Sequence, residues 1–191
     1  MTAESQSTQD VLVRVQATPN PGAWKYIINK PVLNEGKASF ATKEEAFGNR
    51  LAEDLLQIEG VKHIHFFGNV ITVTFHFDIE PEELHPSVIA VIQTRMPVHN
   101  PNFGLQDSKQ ALRKDLPEDL QKIEAILDRT IRPGLQGDGG DLDVVKYEDN
   151  KLYVYYQGAC STCPSSTSGT LMAIEGILKD EFNPLIEVIP L

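Results

Sequence analysis

Between Pro97 and Leu116 the chain reads PVHNPNFGLQDSKQALRKDL, with two prolines and few apolar residues at regular spacing. Such a stretch supports neither a helix face nor a strand alternation, so it predicts a linker, and a domain boundary belongs there. The 191 residues then form two small domains, residues 11–96 and 117–191, with 97–116 between them and a polar, disordered tail over residues 1–10. Each half has to build its own core.

In the first half, Val11 to Val15 and Trp24 to Ile28 read as strands on either side of TPNPG, a turn rich in residues that fix or permit unusual backbone angles. Phe47, Leu51, Leu55 and Ile58 share one face of a helix expected from about Lys43 to Glu59 and stopped by Gly60. Val61 to Phe67 and Val70 to Phe77 read as a hairpin across Gly68 and Asn69. A helix from about Pro81 to Met96 follows, with Leu84, Val88, Val91 and Ile92 at helical spacing. In the second half, Leu116, Leu120, Ile123, Leu127 and Ile131 step along a helix that Pro133 and Gly134 are expected to end. Leu142 to Tyr147 and Leu152 to Gln157 form a hairpin around Glu148, Asp149 and Asn150. Leu171, Ile174, Ile177 and Leu178 give another helix its apolar face, and Leu185 to Ile189 closes the chain as a strand. The order α-β-β-α-β makes this an α+β domain, and the whole chain an α+β protein of two small domains.

With 41% hydrophobic and 23% charged residues and a net charge of −10, the chain reads as soluble and globular. From Pro117 onward 13 acidic residues face 6 basic ones, so −7 of that charge lies in the second half. No run of Lys and Arg is present to grip phosphates, which argues against a nucleic-acid partner. No apolar stretch approaches the roughly 20 residues that span a bilayer, so no membrane partner is expected. The opening MTAESQSTQD has no basic start and no apolar run, so no signal peptide is expected. Only two cysteines occur, both in one CxxC, far from the cysteine spread of a secreted disulfide scaffold, and a reducing cytoplasm is the expected location.

Those cysteines, Cys160 and Cys163, carry the chemistry. Gly158 lets the chain turn after a strand, and Pro164 favours the first position of a helix, so Cys163 is expected at its N-cap with both thiols in a short loop that opens it. Unpaired backbone N–H groups and the positive end of the helix dipole favour thiolate there, the form that binds metal or attacks. CxxC by itself serves thioredoxin-like redox, zinc, iron–sulfur ligation or plain structure. A thioredoxin-like pair follows the first strand of a β-α-β unit, whereas this one follows a hairpin near the end of the chain. Zinc needs four ligands, and the five histidines His63, His65, His76, His85 and His99 all lie in the other half or the linker. An iron–sulfur cluster of 2Fe-2S or 4Fe-4S type usually needs four thiolates. One chain supplies two, and a symmetric dimer supplies four on its two-fold axis, exposed and easily released as a carrier requires.

IRPGLQGDGGDLDVV from Ile131 to Val145 and QGACSTCPSSTSGTL from Gln157 to Leu171 resemble the C-terminal domain of NifU-like (Nfu) iron–sulfur cluster scaffold proteins. ATPNPGAWKYIINKPVL from Ala17 to Leu33 and IEGVKHIHFFGNVITVT from Ile58 to Thr74 resemble the Nfu N-terminal domain. The resemblance spans nearly all of the chain from Val11. It implies a two-domain carrier in which Cys160 and Cys163 are the cofactor and metal ligands of a 4Fe-4S cluster bridging two chains. It also implies a homodimer when loaded, apo iron–sulfur proteins and cluster-assembly machinery as partners, and no enzymatic activity.

Other residues have plainer readings. Asp138, Gly139, Gly140 and Asp141 read as a tight turn into a strand. Ser165, Ser166 and Thr167 read as helix-start caps, since no histidine in that half is there to serve as base. His63 and His65 face one side of a strand as ordinary residues before they are a metal pair, and TPNP and Trp24 read as turn and core before partner surface. A dithiol oxidoreductase and a non-metal interaction module are the competing functions.

Overall fold

The computed structural model describes residues 10–103, 116–161 and 164–191, and no side chain of residues 164–168. The expected tail over 1–9, residues 104–115 of the linker, Cys163 and the capping roles of Ser165, Ser166 and Thr167 lie outside the described residues and side chains. Strands β1 (Val13–Ala17), β2 (Ala23–Ile28), β3 (Lys37–Phe40), β4 (Val61–Phe67) and β5 (Val70–Phe75) form one antiparallel sheet in the order β1-β2-β5-β4-β3. Helices α1 (Arg50–Leu55) and α2 (Pro81–Arg95) pack on one side of it. The alternation of the strands sends Tyr26, Ile28, Ile64, Phe66, Ile71, Val73 and Phe75 to that side, where they meet Leu51, Leu55, Val88 and Ile92 in one buried core.

The expected long helix before β4 is corrected to the six-residue α1. The Asn49 side chain accepts from the Ala52 N–H (3.1 Å) and so fixes the start at Arg50. Phe47, placed on the apolar face by its spacing, lies outside the helix and is 88% exposed. Strand β3 was not foreseen: it is four residues long and has no apolar run.

The second half is built on α3 (Glu118–Thr130), α4 (Arg132–Gly137), β6 (Gly140–Glu148), β7 (Lys151–Gly158), α5 (Pro164–Glu181) and β8 (Glu187–Pro190). Its sheet has the order β6-β7-β8, with β6 and β7 antiparallel and β8 parallel to β7. Asp149 and Asn150, both at positive φ (50° and 61°), make the tight turn between β6 and β7. Pro133 and Gly134 do not close the preceding helix but lie in a second short one, where Pro takes a first-turn position that needs no N–H. Ile123, Leu127, Leu142, Leu152, Val154, Ile174 and Leu178 fill a separate core. Among the described residues no helix is long and apolar enough to cross a membrane.

Candidate functional site

Cys160 follows β7 in a turn held by the Ser161 N–H and hydroxyl, both donating to the Gly158 carbonyl (3.2 and 2.8 Å). The residue is buried, 7% exposed, and its thiol packs over Gly140 so closely that a Cβ there would stand 2.4 Å from Sγ. Gly140 is therefore what admits the thiol; any side chain would displace it. Pro19, Asn20, Leu135, Asp138 and Thr170 line the small pocket around Cys160. Burial, with Cys160 adding to it, pushes the Tyr156 phenol up to about 12.

Most of the pocket's lining belongs to the second half, but Pro19 and Asn20 come from the TPNP turn of the first. Asn20 is buried, its Oδ1 accepting from the Gly22 N–H (3.0 Å) and its Nδ2 donating to the Ala159 carbonyl (2.9 Å), one residue from the thiol. The turn expected to be plain structure thus reaches the cysteine loop.

The reason lies in the second face of the first sheet. Lys25 stands opposite Thr72, Thr72 opposite His65, and His65 opposite Ser39, so four polar residues form one row across β2, β5, β4 and β3. Polar residues alternating with a core are ordinarily solvated. Here Lys25, Thr72 and His65 are buried, and what covers them is the glycine-rich turn and β7 of the second half. Gly139, at φ +84°, leaves no room for a Cβ, which would lie 2.8 Å from Lys25 Cγ and 2.9 Å from Thr72 Oγ1. Gly158, at φ +61°, has His65 Cδ2 at 3.2 Å from the same position.

Polar atoms are matched across this contact. Lys25 Nζ donates to the Gly137 carbonyl (2.5 Å). Lys37 Nζ has three donors and three acceptors: Asp141 Oδ2 at 3.1 Å, Asp143 Oδ1 at 3.0 Å and the Leu142 carbonyl at 2.7 Å. Asp143 also accepts from Gln157 Nε2 (2.5 Å), which turns Gln157 Oε1 toward Ser39 Oγ (3.0 Å). Ser39 therefore donates to Gln157 and accepts from His65 Nδ1 (2.8 Å), which places the imidazole proton on Nδ1. Burial drives His65 down to about 3, against the pull of Asp141 and Asp143 and with the push of Lys37 and His63.

Asp141 links the contact to the second core. Besides Lys37 it accepts from Gln136 Nε2 (3.2 Å) and lies 3.5 Å from Arg132 Nε, while Arg132 also pairs with Glu124 (2.7 Å) and Asp128. Burial opposes the guanidinium's charge, but these carboxylates outweigh it and hold its pKa above the ordinary value. Asp138 to Asp141 do form the expected turn, and Asp141 is in addition a buried ion-pair partner. His63 and His65 sit on β4, and among the described residues no three His, Cys, Asp or Glu side chains gather as a metal site. The sequence marks Lys25, Lys37, Ser39 and Gln157 only by their alternation with apolar neighbours, each within its own strand.

The family model for the NifU-like domain matches residues 123–189, and that for the scaffold protein Nfu/NifU N terminal matches residues 13–98. NifU-like protein 4, mitochondrial, of Arabidopsis thaliana is 32% identical over 88% of this chain and 62% of its own length. The Homo sapiens NFU1 iron-sulfur cluster scaffold homolog, mitochondrial, is 34% identical over 88% of this chain and 67% of its own. The chain thus spans less than two thirds of the Arabidopsis relative. A solution NMR structure of a NifU-like protein from Saccharomyces cerevisiae aligns with a TM-score of 0.43 at 16% identity, covering 50% of this chain and 87% of that one. The expected cytoplasmic location is corrected by these relatives, which are named as mitochondrial: scarce cysteines outside any disulfide framework report a reducing environment, not which compartment supplies it. With both family models matched in chain order and the human relative covered over two thirds of its length, the chain belongs to the Nfu/NifU-like family of scaffold proteins.

Proposed function

We propose that the chain is an iron–sulfur cluster scaffold and carrier, not a catalyst, whose Cys160 and Cys163 hold a 4Fe-4S cluster shared between two copies. The cluster is cargo, received from assembly machinery and passed to apo-proteins. The observation that carries this reading is the placement of Cys160 in the short turn between the end of β7 and the start of α5, within the matched NifU-like domain. A thiol in a loop that opens a helix gains thiolate character from the helix's positive end and would bind iron as thiolate, its proton going to solvent. Two thiols per chain complete a four-thiolate shell only with a second chain, so loading favours a homodimer by mass action. The working division is residues 11–96, a linker over 97–116 and the cluster-binding residues 117–191.

The test is anaerobic reconstitution of the full chain, with iron, sulfide and mass measured together. Four iron and four sulfide per two chains are expected, from an apo-protein that is mainly monomeric. Cys160→Ser and Cys163→Ser should each abolish stable loading while preserving the fold. Full iron content in either variant, or a loaded monomer with a complete cluster, would overturn the shared-site reading.

A further inference from the structure

We infer that the polar face of the first sheet is a docking surface for the cysteine loop of this chain's own second domain, and that the docked form is a closed state from which Cys160 is released before two copies share a cluster. The purpose of the release rests on the carrier reading above; the docking does not.

The residues that meet at this contact are those that flank the thiol. Gly137, Gly139, Asp141, Leu142 and Asp143 precede the loop in space, Gln157 and Ala159 lead into it, and each has its partner on β2, β3, β4 or the TPNP turn. The row Lys25, Thr72, His65 and Ser39 is in register across four strands, which makes it a built surface and not a scatter of polar residues. Lys25 of this row and Lys37, two residues before Ser39 on β3, face the half of the chain that carries most of the net negative charge.

Closure also has a geometric consequence. Pro19 and Asn20 stand in the wall around Cys160, where the second copy's loop would have to approach for one cluster to touch both chains. Cys160, a buried residue, cannot serve as an interfacial ligand until that wall moves. The contact is suited to moving, because hydrogen bonds and ion pairs hold it. Water replaces such bonds at little net loss, and of the second core opening uncovers only its edge at Leu135 and Cys160, which line the pocket with Pro19 and Asn20.

The experiment labels Cys160 with a maleimide in the anaerobic apo full-length chain, with tandem mass spectrometry separating its adduct from that of Cys163. Cys160 is expected to react about ten-fold or more slowly in the native chain than in urea. Lys37→Glu sets a third carboxylate against Asp141 and Asp143 and is expected to raise the native rate about ten-fold; Lys37→Glu combined with Asp143→Lys is expected to lower it again. Asn20→Ala, which removes the bond to the Ala159 carbonyl along with the Oδ1 bond to the Gly22 N–H inside its own turn, gives the same direction if Lys37→Glu does not fold. Native and denatured rates that agree, or folded variants that label no faster than the parent chain, would overturn the docking. Iron uptake tells the two readings apart. Variants that label faster, in a chain that never takes up iron, would defeat the carrier reading and leave the docking standing. Normal loading with labelling indifferent to Lys37 and Asn20 would do the opposite.

Discussion

The five-stranded sheet of the first domain has two buried faces made from the same strands. One is apolar: Tyr26, Ile64, Phe66, Ile71 and Val73 are covered by α1 and α2. The other carries Lys25, Ser39, His65 and Thr72 and is covered by the second domain. Apolar burial is non-directional and scales with area, so the first face fixes the fold without specifying a partner atom by atom. The polar face gains little net energy per bond but loses much for each bond left unmade, so it accepts only a surface whose donors and acceptors match. The first face therefore holds a domain together, and the second selects what lies beside it and lets it leave.

The comparison breaks most visibly on the apolar side. Phe66 is fully buried, with its ring edge-on to Phe40, His99 and Phe103 at centroid distances of 5.3, 6.2 and 6.1 Å. Phe66→Ala is expected to cost the first domain about 3–5 kcal/mol. Urea unfolding followed by the fluorescence of Trp24, the chain's one tryptophan, reads that domain directly. A midpoint that stays in place would mean that the ring is not part of the core that holds the sheet.

A smaller effect is expected across the polar face. Lys37→Ala removes the ammonium from Asp141, Asp143 and the Leu142 carbonyl, while Asp141 keeps Arg132 and Asp143 keeps Gln157. The side chain of Lys37 is partly solvated, so the loss is expected to be about 1.5–3 kcal/mol of docking, with both sheets intact. Amide hydrogen exchange should then speed up over 137–143 and 157–160 and stay unchanged over the Phe66 strand. Faster exchange throughout would show that the lysine holds the fold and not the contact.

Acid should act in the same place by a different route. His65 is neutral when docked, its pKa driven to about 3 by burial, while a released imidazole returns toward 6.5. Below 6.5 the open form takes a proton that the closed form refuses, so this contribution is complete above 6.5 and is lost as pH falls toward 3. At pH 5.5 the opening equilibrium is expected to favour the open form about ten-fold more than at pH 7.5. Asp141 and Asp143, which face His65, soften the effect, and Lys37 and His63 sharpen it. His63 is itself held down by burial, so the quantity to follow is the difference between the parent chain and His65→Gln. If the two show the same pH profile of Cys160 labelling, His65 is not the group that titrates.

Much of this could be read in the sequence because local chemistry decided it. The Gly68-Asn69 and Asp149-Asn150 turns and the helix opened by Pro81 each carry a residue whose backbone preference sets the element. The extent of α1 was misread since Phe47 fits helical spacing, while the cap at Asn49 overrides it. The polar face was beyond reach for a deeper reason. A period of two shows that Lys25, His65 and Thr72 share a side, but the same pattern describes a sheet facing water. What covers that side is a match between residues more than a hundred positions apart, such as Lys37 with Leu142, and no local preference encodes it.

The smallest prediction sharpens the comparison by leaving the polar face alone. Asn49 opens α1 on the apolar side, its Oδ1 accepting from the Ala52 N–H at 3.1 Å, while Glu53 Oε1 accepts from the Gly48 N–H at 3.0 Å. A helix of six residues has few internal bonds, so a capped first turn is a large share of what holds it. Asn49→Ala is expected to cost about 1 kcal/mol. Asn49 Nδ2 is buried without a hydrogen-bond partner among the described residues, so Asn49→Ser gives up no bond seen on that side and is expected to recover most of the loss. Since Leu51 and Leu55 of α1 pack on the apolar face, neither substitution should alter Cys160 labelling or the exchange of Gly158, even as the urea midpoint seen by Trp24 falls. A cap variant that lowers the midpoint and also exposes Cys160 would mean that the two faces of the sheet are energetically coupled, so that docking reports the stability of the first domain and not the match of its polar row.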